Sequence, residues 1–224
     1  MKLSIIVPVL NEAKILPVLF DQLKPLQRQG VEILIADGGS QDGSVVLAEI
    51  YGYQVLKTGR GRALQMNLAA AQATGDILLF LHADTLLPAN ADLLISSSLA
   101  SSYHDWGRFN ISLVGTMRML SVVSFFINLR SSLTGIATGD QAVFVKRQVF
   151  EALGGFPEQP LMEDIELCKR LLSYSKPVCL KQRVQSSGRR WEKYGVWTTI
   201  FLMWRLRWAY WRGVSPEILI KEYQ

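Results

Sequence analysis

The stretch LSIIVPVLNE, residues Leu3 to Glu12, decides the class of fold. Its apolar and β-branched residues run without alternation, which is typical of a strand buried on both faces. Polar Asn11 and Glu12 follow at once, and a helical pattern extends from about Ala13 to Gln29, where Gly30 ends it. A strand, a polar strand end and a helix in this order predict the first unit of a parallel sheet.

The same alternation continues over the first hundred residues. Further buried strands are predicted over Val31–Asp37, Tyr53–Thr58 and Asp76–Asp84. A helix is predicted over Ser44–Tyr51, and an alanine-rich helix follows the Gly59–Arg62 loop. The sequence therefore predicts an α/β protein with a Rossmann-like, mostly parallel sheet flanked by helices.

The pattern after Asp84 is less regular. The predicted helices cover Ala91–Ser102, residues 147–153, 162–175 and 195–213, and Met117–Leu133 is interpreted as a helix or a mobile segment. One or two strands at a different sheet edge are predicted over 105–115, and further strands over Gln141–Val145 and 177–187.

Composition indicates a globular chain with a basic C-terminal segment. The 224 residues are 49% hydrophobic and 19% charged, with a net charge of +5. Residues 181–212 hold eight Lys or Arg against one Glu, and such a segment suits phosphates. Cys168 and Cys179 lack metal-ligand spacing. They also imply no disulfide framework, so a reducing cytosol is the default expectation. We expect neither a signal peptide nor a membrane span, because no apolar stretch reaches the roughly 18 residues that a span needs.

Polar residues cluster where the predicted parallel strands end. They are Asn11 and Glu12, Asp37, the loop Gly59–Arg62, and His82 with Asp84. Ligands of such sheets bind at the carboxyl ends of the strands. One such residue could be a turn, but four polar strand ends favour a binding site.

Asp84 and His82 are candidates for a metal site. Mg²⁺ or Mn²⁺ takes one or two carboxylates together with phosphate oxygens and water, and Asp84 suits that role. His82 shares a face with Asp84 if the backbone stays extended, so it is either a second ligand or a hydrogen-bond donor to ribose or phosphate. The alternative for Asp84 is an ordinary turn residue.

Two further motifs are ambiguous by themselves. The Gly59–Arg62 loop precedes a helix and could meet phosphate, although it lacks both the dinucleotide glycine spacing and the lysine of a P-loop. Glu163 and Asp164 open a predicted helix. They serve either to cap it and compensate its dipole or to provide a general base that deprotonates a hydroxyl.

Seven motifs in order resemble the family 2 glycosyltransferases of the GT-A fold. They are SIIVPVLNE, IADGGSQDGS, GRALQMN, GDILLFLHADT, TGDQAVFVKRQVFEALGGFPE, LMEDIELCKRL and GRRWEKYG. The resemblance covers about residues 1–195, and it is greatest to the small, soluble bacterial branch whose metal motif reads His-Ala-Asp.

The resemblance implies a role for each matching position. Asp164, with Glu163 beside it, would be the catalytic base, and Asp84 with His82 would hold the metal. The residues that would bind the nucleotide sugar are Pro8, Val9, Asn11, Glu12, Asp37, Gly38, Gly61, Arg62, Asn67, His82, Ala83 and Asp84. The acceptor-side residues would be Gly139, Asp140, Arg190 and Trp191. Ser187 stands where processive members have Gln, which argues against polymer synthesis.

The resemblance also implies the reaction and its participants. It implies an inverting transfer of a sugar from a nucleoside-diphosphate sugar, UDP-linked by family habit, to an unknown hydroxyl acceptor, with Mn²⁺ or Mg²⁺. A single domain would comprise a nucleotide-sugar half (1–100), an acceptor and catalytic half (101–195) and a C-terminal helix and tail (196–224). The alternatives are a sugar nucleotidyltransferase and a sugar-nucleotide-binding protein without transferase activity.

The segment Trp197–Arg212 carries four tryptophans on one side. On a helix Trp197, Trp204, Trp208 and Trp211 fall within roughly 60° of one another, with arginines beside them. The stripe either packs on the core or lies at a membrane interface, where it would serve a lipid-linked acceptor. We expect a cytoplasmic protein, at the inner face of the plasma membrane if the second interpretation holds, and no nucleic-acid partner.

Overall fold

Strands and helices alternate through the first half of the chain, as predicted. The computed structural model describes residues 1–100 and 103–223. The elements of this half are β1 (Leu3–Val9), α1 (Leu16–Arg28), β2 (Glu32–Asp37), α2 (Ser44–Ile50), β3 (Gln54–Lys57), α3 (Arg62–Gln72), β4 (Ile77–Phe80), β5 (Thr85–Leu86) and α4 (Ala91–Leu99). The last part of the helix predicted to reach Ser102 lies outside the described residues.

The second half adds three strands and six helices over the described residues. They are β6 (Trp106–Val114), α5 (Met119–Thr134), β7 (Phe144–Lys146), α6 (Arg147–Ala152), α7 (Glu163–Leu171), β8 (Val178–Ser187), α8 (Arg189–Tyr194), α9 (Val196–Trp211) and α10 (Pro216–Tyr223), with a 3-10 turn at Gly139–Gln141. Met117–Leu133, which the sequence left open as a helix or a mobile segment, is largely the helix α5. The sequence patterns did not predict α8 and α10.

All eight strands belong to one sheet, in the order β3-β2-β1-β4-β7-β6-β8-β5. β3, β2, β1 and β4 are parallel, and β6 is parallel to β8. β7 runs antiparallel to both β4 and β6, and β5 runs antiparallel to β8. The predicted α/β class with a mostly parallel sheet is confirmed.

Residues 105–115 do not form a separate sheet edge, so that prediction is wrong. β6 lies inside the main sheet, where Trp106 pairs with Val145 and Gly107 with Phe144. Because β7 reverses direction beside β4, its free edge offers hydrogen bonds to a further strand, and the sheet continues instead of ending there.

Two predicted strands have different bounds. The strand expected over Asp76–Asp84 ends at Phe80, and residues 82–85 form a turn in which the amide of Thr85 donates to the carbonyl of His82. The turn brings β5 back against β8. The strand expected over Gln141–Val145 begins only at Phe144, because Gln141 lies in the 3-10 turn and Ala142 adopts a left-handed conformation.

The sheet has an apolar core on each face. Alternate strand residues point to opposite sides, so Ile5 packs with the α1, α4 and α5 side, and Ile6 packs with the α3, α6 and α7 side. A smaller apolar cluster joins α7, α9 and α10 through Ile165, Leu206 and Leu219. This cluster holds the C-terminal helices over the start of α7, where Glu163 and Asp164 lie.

The tryptophan stripe of α9 faces outward. Trp197, Trp204, Trp208 and Trp211 are all exposed, so the interpretation of the stripe as core packing is wrong. Over the described residues, none of the helices combines the length and apolar character that crossing a bilayer requires.

Candidate functional site

A cavity of about 650 Å³ opens beyond the carboxyl ends of β1 and β4. Parallel strands place their carboxyl ends at the same edge, which is why distant polar residues meet there. The predicted residues that line it are Pro8, Val9, Glu12, Gly61, Arg62, His82, Ala83, Asp84, Asp140, Glu163, Arg190 and Trp191.

A narrow niche of about 10 Å³ adjoins this cavity. Gly139 and Asp164 line the niche, and it shares Arg62, His82 and Glu163 with the cavity. The two acids predicted to act in catalysis therefore lie next to the predicted metal motif, although about 80 residues separate them along the chain.

His82 is held in place from two sides. Its Nδ1 lies 2.9 Å from Oδ1 of Asp140. Its Nε2 faces Gly139, where a β-carbon would lie 2.3 Å away. Burial alone would raise the pKa of Asp140, but the hydrogen bond with His82 and the charges of His82 and Arg62 lower it. The geometry thus favours a hydrogen-bonding histidine over a metal ligand.

Asp84 lies between a cation and other acids. Its Oδ2 is 3.4 Å from Nη2 of Arg189, and Arg189 also makes a two-pronged pair with Glu12 at 2.7 and 3.0 Å. Burial, and next the charge of Asp140, raise the pKa of Asp84 above its ordinary value. The nearby cations therefore do not fully offset the cost of ionising this carboxyl.

The residues at Asp84 suit a cation that is shared with a ligand. Over residues 1–100 and 103–223, no three His, Cys, Asp or Glu side chains cluster closely enough to hold a metal ion by themselves. Mg²⁺ and Mn²⁺ sites in nucleotide enzymes instead use one or two carboxylates and complete the shell with phosphate and water. A buried carboxyl with a raised pKa fits that donor set, because a cation would stabilise its charged form.

Glu163 and Asp164 occupy different environments at the start of α7. Burial, and next the charge of Asp164, raise the pKa of Glu163, which lies 3.6 Å from Nη1 of the half-exposed Arg62. Oδ2 of Asp164 accepts a hydrogen bond of 2.9 Å from the amide of Gly139. The arrangement offers an oriented carboxyl group, Asp164, beside Glu163, whose ionisation burial disfavours.

Asn11, Asp37 and Gly38 build the loop after β1 and β2 and do not line the cavity. The Asp37 carboxylate accepts from the amides of Gly39 and Ser40 at 2.9 to 3.2 Å. Oδ1 of Asn11 accepts from the amide of Gln41 at 2.8 Å. The nucleotide contacts predicted for these three residues remain predictions. In the structure, the side chains of Asp37 and Asn11 instead stabilise the turn by accepting bonds from its amides.

Asn67 also lies away from the cavity. Its Nδ2 donates to the carbonyl of Phe156 at 2.8 Å, and its Oδ1 accepts from the amide of Phe156 at 2.9 Å. Both polar atoms of the Asn67 amide thus connect α3 to the loop that follows α6, and these contacts stabilise the fold.

On the acceptor side, Arg190 is engaged with the end of the chain. Its guanidinium lies 3.8 Å from the ring centroid of Tyr223 and donates to the Tyr223 carbonyl at 2.8 Å. Trp191 lies partly in the main core cluster while it lines the cavity. These two residues therefore attach α8 and α10 to the wall of the cavity.

The cavity residues that were not predicted include Gln65, Arg189 and Tyr223. Nε2 of Gln65 is buried and donates to the carbonyls of Val9 and Ala36 at 2.9 and 2.7 Å, which joins the ends of β1 and β2. In the sequence, the only signal for Gln65 was a polar residue among the apolar residues of an alanine-rich helix. Arg189 adjoins the predicted Arg190, but no local pattern shows which of the two meets Glu12.

A family model and a curated relative match this chain in sequence. Residues 4–94 match the model described as Glycosyl transferase family 2. A "PGL/p-HBAD biosynthesis glycosyltransferase" of Mycobacterium bovis is 36% identical over 91 residues, which cover 38% of this chain and 36% of that relative. The match therefore spans about a third of the length of that relative.

Solved structures share the fold at low identity. TarS 1-349 of S. aureus in complex with UDP superposes with a TM-score of 0.67 and 19% identity, over 84% of this chain and 60% of that one. The mannosyltransferase PcManGT from Pyrobaculum calidifontis, in complex with GDP-Man and Mn²⁺, superposes with a TM-score of 0.62 and 24% identity, over 93% and 61%. These likenesses show that the architecture is the GT-A fold.

Proposed function

We propose that the chain is a family 2 glycosyltransferase, because residues 4–94 match that family model and the architecture is the GT-A fold. In this proposal it transfers a sugar from a nucleoside-diphosphate sugar to a hydroxyl acceptor. We further propose that the donor is UDP-linked, that the reaction inverts the anomeric carbon, and that it requires Mn²⁺ or Mg²⁺. The observation that carries the proposal is one cavity that holds Asp84 with its raised pKa, the cation Arg189 and Glu163, with Asp164 in the adjoining niche.

The donor half of the proposal concerns the departing diphosphate. A divalent cation, held by Asp84 and the diphosphate, would neutralise the negative charge that the leaving group gains. Arg189 and Arg62 line the same cavity, and their guanidinium groups suit phosphate oxygens. The complex of PcManGT with GDP-Man and Mn²⁺ supports a donor and metal of this kind.

The acceptor half of the proposal concerns one proton. Asp164 takes it from the acceptor hydroxyl while the oxygen bonds to the anomeric carbon and the bond to the diphosphate breaks. The amide of Gly139 orients the Asp164 carboxylate at 2.9 Å. Burial and the charge of Asp164 raise the pKa of Glu163, and Asp164 is the acid that the Gly139 amide orients, so the proposal assigns the base to Asp164.

The proposal includes the predicted division of the chain. Residues 1–100 bind the donor, and residues 101–195 supply the base and the acceptor side, with Gly139, Asp140, Arg190 and Trp191. The acceptor is lipid-linked, and Trp197–Arg212 contacts the inner face of the plasma membrane. The exposure of the tryptophan stripe supports this contact.

Calorimetric titration of UDP, with GDP in parallel, tests the donor site. We expect binding that strengthens with Mn²⁺ and loses this gain in Asp84→Asn. Glu49→Gln, which changes an exposed acid on α2, is the matched control and should behave as the unaltered protein. Metal-dependent hydrolysis of the nucleotide sugar that binds best, lost in Asp164→Asn with donor binding retained, would support the assigned base.

The opposite results are equally clear. No binding of UDP or GDP with or without metal would reject the donor assignment. Donor binding without hydrolysis or transfer to any acceptor would favour a sugar-nucleotide-binding protein, and release of pyrophosphate would indicate a nucleotidyltransferase.

A further inference from the structure

The outer side of α9 is apolar and aromatic along its whole length. Trp197, Phe201, Trp204, Trp208 and Trp211 expose between 59% and 75% of their surface. Their spacing of four and three residues keeps them on one side of the helix. Val196, Thr199 and Leu206 form the buried side. Exposed apolar patches of this size on one element mark an interaction surface.

The outer side of α5 has the same character. Val122, Phe125, Phe126, Leu129 and Leu133 are all exposed, Leu133 to 77%. These positions also recur at three- and four-residue spacing, opposite the buried Leu120 and Val123.

The two helices contribute to the same core cluster. The core cluster that contains Leu120 and Val123 of α5 also contains Val196 of α9 and packs Ile200. Burial, and next the positive charge of Arg207 on α9, lower the pKa of Arg130 on α5 to about 10. Arg207 therefore lies close enough to Arg130 for their charges to interact. We call the ten exposed apolar residues named above the α5–α9 face, since the inner sides of both helices pack into this cluster.

The charged residues that α5 and α9 themselves carry are all arginines. Residues 117–134 and 196–212 contain no Asp or Glu. Arg118 and Arg212 are exposed, and the exposed Arg205 pairs with Glu222 of α10 at 2.9 Å. In a two-fold dimer through this face, each patch would meet a copy of itself, so arginines would oppose arginines without acids from these helices. Tryptophan beside arginine suits the headgroup region of an anionic bilayer instead.

We propose that the α5–α9 face docks on an anionic lipid bilayer. The inference deepens the contact proposed for Trp197–Arg212 by adding α5 and the sign of the lipid charge, and the docking itself does not require transfer chemistry. Thr199 and Met203, on the inner side of α9, line the cavity. Docking therefore places one wall of the cavity at the bilayer surface, where an acceptor carried by a lipid can reach it.

Vesicle co-sedimentation of the full chain tests the docking. We expect binding to vesicles of phosphatidylglycerol mixed with phosphatidylcholine, weaker binding to phosphatidylcholine alone, and a decrease with salt because the arginines are exposed. The pairs Trp204→Ser with Trp208→Ser, and Phe125→Ser with Phe126→Ser, should each lower the partition coefficient at least about tenfold. The control pair Ile50→Ser with Leu93→Ser changes exposed apolar residues on α2 and α4 and should change nothing.

Several results would overturn the inference. They are equal binding to neutral and anionic vesicles, a loss of binding only in the α9 pair, an equal loss in the control pair, and a dimer in light scattering that does not bind vesicles. Brominated lipids give an independent readout, since they should quench exposed tryptophans such as Trp204 and spare the fully buried Trp106. Unchanged tryptophan fluorescence would contradict docking.

UDP titration of the same variants separates this inference from the proposed function. The substituted residues lie outside the cavity, so UDP affinity should stay the same. A protein that binds UDP and not vesicles would reject the docking alone. One that binds vesicles and not UDP would reject the donor site alone.

Discussion

Asp84 is the residue at which stability and the proposed function oppose each other. Its carboxyl is largely buried, and burial and the charge of Asp140 both disfavour its ionised form. A protein selected for stability alone would place a neutral residue there. A cation with a diphosphate reverses that cost, because it stabilises the ionised form.

Asp84→Asn should therefore raise the melting temperature at neutral pH and abolish the metal-dependent part of UDP binding. Relief of about 1 kcal/mol would raise Tm by about 2–4 °C in a chain of this length. A raised pKa means that the folded state holds the proton more tightly than the unfolded state. The contribution of Asp84 to stability is thus present at low pH and is lost as pH rises from about its ordinary value of 3.8 through the raised value.

Thermal unfolding from about pH 3.5 to about pH 7 measures this difference, because that range spans the titration of Asp84. The gain in Tm of Asp84→Asn over the unaltered protein should be small at the acid end and grow toward neutral pH. A gain that is constant with pH, or a loss at neutral pH, would contradict the explanation.

Gly139→Ala should disrupt the site through a steric clash with the His82 side chain and not through an unfavourable φ angle. A β-carbon there would lie 2.3 Å from Nε2 of His82, whose ring Asp140 holds on the other side. We expect a loss of about 1–3 kcal/mol in the free energy of unfolding, typical of overpacking, and weaker UDP binding.

Chemical denaturation measures this cost, and a second variant makes it specific. Combined with His82→Ala, the alanine at position 139 should cost less than it does alone, because the ring that it meets is gone. Additive effects of the two substitutions would mean that the clash is not the cause.

At the scale of elements, the ends of two helices carry the acids and cations of the site. α7 begins with Glu163 and Asp164 after Met162, a residue with a left-handed backbone (φ 66°). α3 begins with Arg62 after Gly61, whose φ of 144° suits glycine. These sharp entries direct both helix starts into the same cavity, so the bounds of the helices decide which side chains meet there.

A substitution at Asn67 tests whether this predicted binding residue instead stabilises the packing of α3 against the loop after α6. Asn67→Ala removes both hydrogen bonds to Phe156 and should cost about 1–2 kcal/mol of stability, with UDP affinity unchanged. Urea unfolding and calorimetry on one sample measure both quantities. Gln72→Ala, an exposed position at the end of the same helix, is the control. Weaker UDP binding at unchanged stability would restore the predicted ribose contact.

At the scale of the whole molecule, one ion pair joins the start of the chain to its last third. Arg189 of α8 pairs with Glu12, 177 residues away, and reaches Asp84 at 3.4 Å. The pair joins α8 to the loop after β1 at the wall of the cavity. Its guanidinium lies where the proposed diphosphate would need positive charge.

Arg189→Gln should weaken metal-dependent UDP binding by about tenfold and change Tm little. The Arg189 side chain is 51% exposed, and exposed ion pairs contribute only about 0–1 kcal/mol to stability. Calorimetry and thermal unfolding, with the exposed Lys193→Gln as control, provide the measurement. A large fall in Tm with UDP affinity preserved would make the residue structural rather than part of the donor site.

Prediction from sequence worked where the signal was local. Continuous apolar runs marked β1, β2 and β4, and the polar residues after them marked the cavity, because all parallel strands end at one edge. It failed where pairing partners were distant. The place of β6 inside the sheet depends on β7, whose short strand follows an irregular turn that no periodicity reveals.

The sequence by itself determined the α/β class, the parallel half of the sheet and the polar character of its carboxyl edge, since each depends on residues close together in the chain. Only the tertiary structure decided which polar residues share the cavity. It turned Asp37 and Asn11 toward the loop after β2, joined Asn67 to Phe156, and brought Arg189 to Glu12 and Asp84. It also decided that the tryptophans of α9 face outward. Those outcomes depend on which elements pack together, and contacts between distant elements leave no periodic pattern in the sequence.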